Sequence, residues 1–142
     1  MTIFLDQEVY SDTPHLLHFI ADLFKPRIDI VEIDCADPSS LRKAISGQSV
    51  KGSRTVVVFS ESCSNPSGRI FAFETMAALK KEKEFASKVW FVIDNTWTTA
   101  VSVNPLTYGA DFVIESTTKY ISAGPSFPYS RLHLHQHPHS TL

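Results

Sequence analysis

The run TVVVF, residues 55–59, limits the fold of this chain more strongly than any other stretch. It is apolar and rich in β-branched residues, and it shows almost no polar alternation. Such a run is typical of a strand that is covered on both faces, as strands of parallel sheets are. Similar short runs alternate with segments of helical periodicity along the chain. The sequence therefore predicts an α/β fold, with a mostly parallel sheet flanked by helices.

The other elements follow from periodicity, capping residues and helix breakers. We expect strands at residues 2–5, 28–33, 55–59, 89–93 and 112–114. Thr13 and Pro14 predict the N-cap and first turn of a helix that runs from about residue 15 to residue 24. A second helix follows Asp37 and should stop at Gly47. A third begins near residue 72, buries Phe73 and continues to about residue 85.

Length and composition indicate one ordinary globular domain. The chain has 142 residues, of which 43% are hydrophobic and 20% charged, and its formal charge is −2. This balance does not suggest nucleic acid or an anionic membrane as a partner. The first residues carry acids and contain no hydrophobic signal region, so we expect a cytoplasmic protein. Cys35 and Cys63 have no CxxC spacing and are interpreted as structural thiols.

The composition changes after Gly124. We assign residues 1–124 to the folded domain and interpret residues 125–142 as an aperiodic, disordered tail. The tail contains four alternating histidines, which could chelate a metal if the chain were extended there: His133, His135, His137 and His139. Because nothing in the sequence fixes their orientation, no metal site is predicted.

Polar residues follow two of the predicted strands at the point where each ends. Asp94 comes directly after residues 89–93, whereas Ser116, Thr118 and Lys119 follow residues 112–114. Open parallel sheets bind ligands outside the carboxyl ends of their strands. We therefore expect these four side chains to meet in a single site.

An amine, an acid and hydroxyls are the groups that pyridoxal 5'-phosphate requires. A lysine holds its aldehyde, a carboxylate keeps its ring nitrogen protonated, and donors bind its phosphate. The residues leave simpler interpretations open: Asp94 could cap a turn with Asn95 and Thr96, and Lys119 could be a surface charge. Tyr10 and Tyr120 would by default be half-buried aromatics. A nucleotide-binding Rossmann domain is disfavoured because no GxGxxG motif follows a predicted strand.

Three separated segments together resemble a known family: ESCSNPSGRIF, FVIDNTWTTA and NPLTYGADFVIESTTKYISAG. They are similar, in the same order, to motifs of the trans-sulfuration or Cys/Met-metabolism family of pyridoxal-phosphate enzymes, which includes cystathionine γ-synthase, γ-lyase and β-lyase. The resemblance implies that the chain forms the central part of the large cofactor-binding domain of aspartate-aminotransferase-like enzymes, truncated at both ends. It also implies β- or γ-elimination or replacement on a cystathionine-, homocysteine- or cysteine-like substrate, and a homo-oligomeric full-length protein.

The resemblance assigns a role to each of six residues. Lys119 corresponds to the Schiff-base lysine, which also moves the substrate proton, and Asp94 to the acid at the pyridine nitrogen. Ser116 and Thr118 correspond to the phosphate-binding hydroxyls. Tyr10 takes the place of the tyrosine that stacks on the cofactor ring and helps to move protons. Asn65 corresponds to the asparagine beside the cofactor's phenolic oxygen.

This chain departs from the family pattern in several places. Compared with the family pattern, we expect residues 1–142 to lack the glycine-containing phosphate loop and the arginine that binds the substrate carboxylate, and therefore to bind cofactor and substrate weakly. Ala72 replaces an aspartate at a helix start, where Ser67 could cap instead. The sequence does not separate synthase from γ-lyase or β-lyase activity. The alternative function is an inactive remnant or interaction module that retains the fold.

Overall fold

The computed structural model describes residues 1–49, 55–120 and 132–136 and forms an α/β sheet structure. Its strands are β1 (Thr2–Asp6), β2 (Asp29–Ile33), β3 (Val56–Glu61), β4 (Val89–Asp94), β5 (Phe112–Ser116) and β6 (Leu132–Gln136). Its helices are α1 (Asp12–Leu23), α2 (Pro38–Ser49), α3 (Phe73–Lys81), α4 (Lys83–Ala86) and α5 (Thr99–Ser102), followed by a 3-10 turn at Pro105–Tyr108.

The sheet has the strand order β2-β1-β3-β4-β5-β6. All pairs from β2 to β5 are parallel, and only β6 runs antiparallel to its neighbour β5. The predicted mostly parallel sheet is therefore confirmed. From β1 the chain moves outward to β2 and then returns to place β3 on the other side of β1. This reversal opens a crevice beyond the carboxyl ends of β1 and β3, which is where open α/β sheets bind ligands.

One hydrophobic core holds the central strands against the helices. Residues of β3 and β4 alternate between buried and half-buried positions, with Val58 and Phe91 fully enclosed. Met76 and Leu79 of α3, together with Leu41 and Ile45 of α2, complete the core and are also fully enclosed. Because this packing fixes β3 and β4, it also fixes the polar residues at their ends.

The first helix begins earlier than predicted. It starts at Asp12, and Ser11 is its N-cap, without a side-chain capping bond. The prediction of Thr13 as N-cap is wrong. Pro14 lies in the first helical turn, where its missing N–H leaves no hydrogen bond unmade. Of the apolar residues of α1, only Ala21 is buried, and Leu16 and Leu23 are exposed.

Two other helix boundaries also differ from prediction. The second helix passes through Gly47 and ends at Ser49, because Leu41 and Ile45 anchor the turns before the glycine in the core. The third expected helix breaks at Glu82, whose extended backbone (φ −80°, ψ 116°) separates α3 from α4. Ala72 is the N-cap of α3 and provides no side-chain bond.

Ser67 does not replace the missing cap of α3. Its hydroxyl donates a hydrogen bond to the Glu8 carboxylate and lies 2.7 Å from the Ser64 hydroxyl oxygen. The suggested capping role is therefore wrong. Ser67 instead joins the loop after β3 to the loop after β1.

Strand β6 was not anticipated, because its residues fall in the segment interpreted as a disordered tail. For Leu132–Gln136 that interpretation is wrong: the segment pairs with β5 from Ser116 to Phe112. The physical reason is that β5 would otherwise present unpaired backbone groups at the edge of the sheet. Of the four histidines, His133 and His135 lie on β6, and His137 and His139 lie outside the described residues.

Candidate functional site

A cavity of about 820 Å³ opens beyond the carboxyl ends of β3, β4 and β5. The last residue of each of these strands lines it: Glu61, Asp94 and Ser116. The cavity contains all six residues that the sequence singled out, together with four that it did not, and its lining is Tyr10, Glu61, Asn65, Asp94, Thr96, Trp97, Ser116, Thr118, Lys119 and Tyr120. The fold therefore brings residues from four separated segments to one place.

Asp94 ends β4 and is held in two ways. Its backbone pairs in register with Glu61 of β3 and Ile114 of β5. Its Oδ1 accepts a hydrogen bond of 2.8 Å from the Thr96 backbone N–H. Asp94 thus caps the turn that follows β4, as the simpler interpretation suggested, and it also lines the cavity. The two roles are compatible because the turn uses only one carboxylate oxygen.

The segment after β5 gathers two hydroxyls next to a lysine. The Ser116 and Thr118 hydroxyl oxygens lie 2.9 Å apart. The backbone N–H of Ser116 donates to the Thr96 hydroxyl at 2.9 Å, and that of Lys119 donates to the Ser116 carbonyl at 3.3 Å. The tight turn places an amine and two hydroxyls together at the rim of the cavity, where Thr118 and Lys119 are exposed.

Tyr10 and Asn65 come from loops on the other side of the cavity. Tyr10 follows β1, and its backbone N–H donates a 2.6 Å hydrogen bond to Glu61 Oε1. Asn65 lies in the loop after β3 and is exposed. Tyr10 is 56% exposed and Tyr120 62% exposed, so the default expectation of half-buried aromatics is wrong for both. Both rings are available to a ligand in the cavity.

Glu61 is the most informative residue that sequence reasoning missed. It is buried, Oε1 accepts the Tyr10 N–H, and Oε2 has no hydrogen-bond partner among the described residues. Burial raises the pKa of the Glu61 carboxyl, and the negative charges of Asp94 and Asp6 raise it further, against the lowering effect of the Tyr10 N–H. Ser60 separates Glu61 from the run at residues 55–59, whereas Asp94 directly follows its own apolar run. No local pattern therefore marked Glu61 as the end of its strand.

A buried amide supports the loop between β4 and α5. Asn95 is fully enclosed, and its Nδ2 donates to the Val103 carbonyl and to Glu115 Oε1, both at 3.1 Å. Its Oδ1 accepts from the Thr98 hydroxyl at 2.5 Å, and that hydroxyl lies 2.6 Å from the Ser62 hydroxyl. This network fixes the loop that carries Thr96 and Trp97 over the cavity.

In residues 1–49, 55–120 and 132–136, no group of three or more His, Cys, Asp and Glu side chains is placed to hold a metal ion. Within the same ranges, no helix combines the length and apolar character that crossing a membrane requires.

Comparison with known proteins gives matches over most of the chain. Residues 2–125 match the family model described as Cys/Met metabolism PLP-dependent enzyme. The O-acetyl-L-homoserine sulfhydrylase of Leptospira meyeri is 33% identical over 119 residues, which are 84% of this chain and 24% of that protein. The cystathionine beta-lyase of Neurospora crassa is 31% identical over 115 residues, or 81% of this chain and 23% of the relative.

Solved structures show the same similarity. A structure from Campylobacter jejuni subsp. jejuni that contains N'-pyridoxyl-lysine-5'-monophosphate is 26% identical to this chain. It superimposes with a TM-score of 0.74 over 96% of this chain and 30% of its own length. Of the two curated relatives, the O-acetyl-L-homoserine sulfhydrylase and the cystathionine beta-lyase, this chain spans about a quarter of the length.

Proposed function

Because this chain belongs to the Cys/Met-metabolism family of PLP-dependent enzymes, we propose that its cavity binds pyridoxal 5'-phosphate. We further propose that the cavity forms part of an active site for elimination or replacement at the β or γ carbon of a sulfur-containing amino acid. The observation that carries this proposal is the convergence of Lys119, Asp94, Ser116 and Thr118 on one cavity.

The residues present fit the cofactor's three functional groups. The Lys119 amine would hold the aldehyde carbon covalently. The Asp94 carboxylate would hold a proton on the ring nitrogen, through the oxygen that the Thr96 turn does not use. The adjacent hydroxyls of Ser116 and Thr118, 2.9 Å apart, would bind phosphate oxygens.

Tyr10 and Asn65 complete the proposed site. The exposed Tyr10 ring is available to stack on an aromatic ligand, and the Tyr10 backbone is held by the hydrogen bond from its N–H to Glu61. The Asn65 side chain would donate to a ring oxygen. These two roles rest on the family motif and on the placement of both residues in the cavity lining.

The chemistry divides between cofactor and protein. When bound, pyridoxal phosphate supplies an electron sink for the bond that breaks at the substrate's α carbon. The Lys119 amine, which would hold the cofactor, would also take up the substrate's α proton as a general base. Asp94 would keep the ring nitrogen protonated throughout. Loss or exchange of a thiol or another group at the β or γ carbon would follow.

The substrate class comes from the relatives. One is named as a cystathionine beta-lyase and another as an O-acetyl-L-homoserine sulfhydrylase. We therefore propose an amino acid with a sulfur or acyl-oxygen substituent, such as a cystathionine-, homocysteine- or cysteine-like compound. Homo-oligomeric assembly and a cytoplasmic location stay predictions.

Titration of the chain with pyridoxal phosphate, followed by absorbance, tests the proposal. The unchanged chain should give a saturable new band that is absent in Lys119→Ala. Lys43→Ala removes an exposed lysine of α2 outside the cavity and should leave the band intact. An equal band in Lys119→Ala would contradict the role of Lys119. Failure of the unchanged chain to bind would favour the inactive remnant or interaction module.

A further inference from the structure

Glu61 carries a buried oxygen that the described protein groups leave without a hydrogen bond. The residue is 7% exposed and ends β3 at the crevice where the sheet reverses direction. Its Oε1 is engaged at 2.6 Å by the Tyr10 N–H, whereas Oε2 has no partner among the described residues. An unsatisfied buried polar atom is costly, so it requires an explanation. Since Glu61 lines the cavity, a ligand there is the partner that the geometry offers.

The surroundings of Glu61 favour its neutral form. Asp94 is its register partner on β4, so a second carboxyl group lies beside it at the end of the sheet. Burial, followed by the charges of Asp94 and Asp6, raises the pKa of Glu61 above its ordinary value of 4.5. A protonated carboxyl differs from a carboxylate in one decisive respect: it can donate a hydrogen bond.

We propose that Glu61 is a carboxylic acid that donates its Oε2 proton in a hydrogen bond to an acceptor atom of the ligand in the cavity, while Oε1 retains the Tyr10 N–H. The inference rests on the proposed function and deepens it. It makes Glu61 a further binding residue of the same site, and one that also positions the loop carrying Tyr10. No bond breaks in this step, because the proton remains on the glutamic acid.

The inference predicts a specific pH dependence. As pH rises through the pKa of Glu61 in the ligand-free chain, the donor is lost and a second negative charge appears beside Asp94. Affinity for pyridoxal phosphate should then fall. A glutamine at this position keeps an acceptor for the Tyr10 N–H and always presents a donor. The affinity of Glu61→Gln for pyridoxal phosphate should therefore not fall as pH rises through the Glu61 pKa.

The experiment measures the dissociation constant of pyridoxal phosphate with the full chain over a pH range that starts near the ordinary carboxyl pKa of 4.5 and extends upward, because burial raises the Glu61 pKa above that value. Three forms are compared: the unchanged chain, Glu61→Gln and Glu61→Leu. At low pH, Glu61→Gln should bind pyridoxal phosphate as tightly as the unchanged chain. As pH rises, the unchanged chain should lose affinity and the variant should not, so the difference between them should grow. Glu61→Leu should bind about ten-fold more weakly even at low pH, because it lacks the donor.

A matched control and a cofactor-free readout accompany the titration. Glu74→Gln changes an exposed glutamate on α3 and should follow the unchanged chain at every pH. An infrared difference spectrum between the ligand-free chain and Glu61→Gln should show the carbonyl band of a protonated carboxyl, and this band should fade as pH rises through the Glu61 pKa. The corresponding difference spectrum for Glu74→Gln should not show it.

The outcomes separate the inference from the function on which it rests. Parallel pH profiles for the unchanged chain and Glu61→Gln, both with measurable binding, would overturn only the role of Glu61. A purely structural glutamate would give that result, with any change confined to the melting temperature. If the unchanged chain bound no pyridoxal phosphate at any pH, the proposed function and the inference would both fall.

Discussion

Glu61 and Asp94 occupy paired positions on adjacent parallel strands, and both carboxyl groups line one cavity. Parallel pairing places successive strand ends at the same edge of the sheet, so an acid that ends one strand lies beside an acid that ends the next. Of the two, Glu61 is buried and Asp94 half-buried. We infer that Glu61, whose pKa is raised by burial and by the charges of Asp94 and Asp6, is the neutral donor of the site.

Removing the charge of Asp94 should weaken cofactor binding without disturbing the turn. In Asp94→Asn the side-chain oxygen can still accept the Thr96 N–H, which is 2.8 Å from Oδ1 in the structure. A hydrogen bond to a charged partner contributes about 1.5–3 kcal/mol, so affinity for pyridoxal phosphate should fall roughly ten- to hundred-fold. Absorbance titration measures this. Asp12→Asn, at the exposed start of α1, is the control, and equal affinities in the two variants would exclude the proposed contact.

The buried ion pair between Lys80 and Asp111 should contribute far more to the free energy of unfolding than an exposed ion pair. Lys80 Nζ donates to Asp111 Oδ1 at 2.8 Å and to the Val89 carbonyl at 2.9 Å, and the two charged side chains are only 16% and 9% exposed. Lys80→Met would leave Asp111 buried without this cation, so the free energy of unfolding should fall by about 3 kcal/mol.

The control for this prediction is the exposed pair between Arg42 and Glu82. Its atoms lie 2.9 Å apart, and its side chains are 46% and 41% exposed. Arg42→Met should therefore lower the free energy of unfolding by less than about 1 kcal/mol. Urea denaturation compares the two variants. Similar small losses for both variants would contradict the prediction for the pair between Lys80 and Asp111.

Substitution by alanine should change the free energy of unfolding in opposite directions at Gly109 and Gly47. Gly109 follows the 3-10 turn with φ 99°, and a Cβ added there would lie 3.1 Å from Lys80 Cγ. Gly109→Ala should destabilise the fold by about 1–2 kcal/mol. Gly47 lies within α2, and among the described residues no atom other than those of its chain neighbours and the local helix backbone lies within 4 Å of an added Cβ. Gly47→Ala should stabilise by about 0.5–1 kcal/mol. Thermal unfolding of both variants tests the prediction, which fails if the two shifts have the same sign.

The convergence of the strand-end residues on one cavity could be predicted because it follows from a general property of parallel sheets. Asp94 and Ser116 each end a strand whose apolar character is visible in the sequence, and the fold brings such ends together. Lys119 and Thr118 follow within a turn of three residues, so their placement depends only on that of β5. Tyr10 and Asn65 could be placed only through the family resemblance, since loops carry no periodic signal.

Other features depend on tertiary pairing that no local pattern contains. The apolar run predicts that the third strand ends at residue 59, whereas pairing with β4 extends it through Ser60 to Glu61, which lines the cavity. The strand at Leu132–Gln136 forms against the open edge of β5, a partner more than ten residues away. Gly47 stays helical because buried neighbours outweigh its own backbone preference.

The most direct test of the account asks where the cofactor is attached. The chain is incubated with pyridoxal phosphate, reduced with borohydride, digested and mapped by mass spectrometry. Our account predicts a pyridoxyl group on Lys119 as the dominant product, while exposed lysines such as Lys43 and Lys88 remain essentially unmodified. Even labelling of surface lysines, or labelling of any lysine in preference to Lys119, would contradict it.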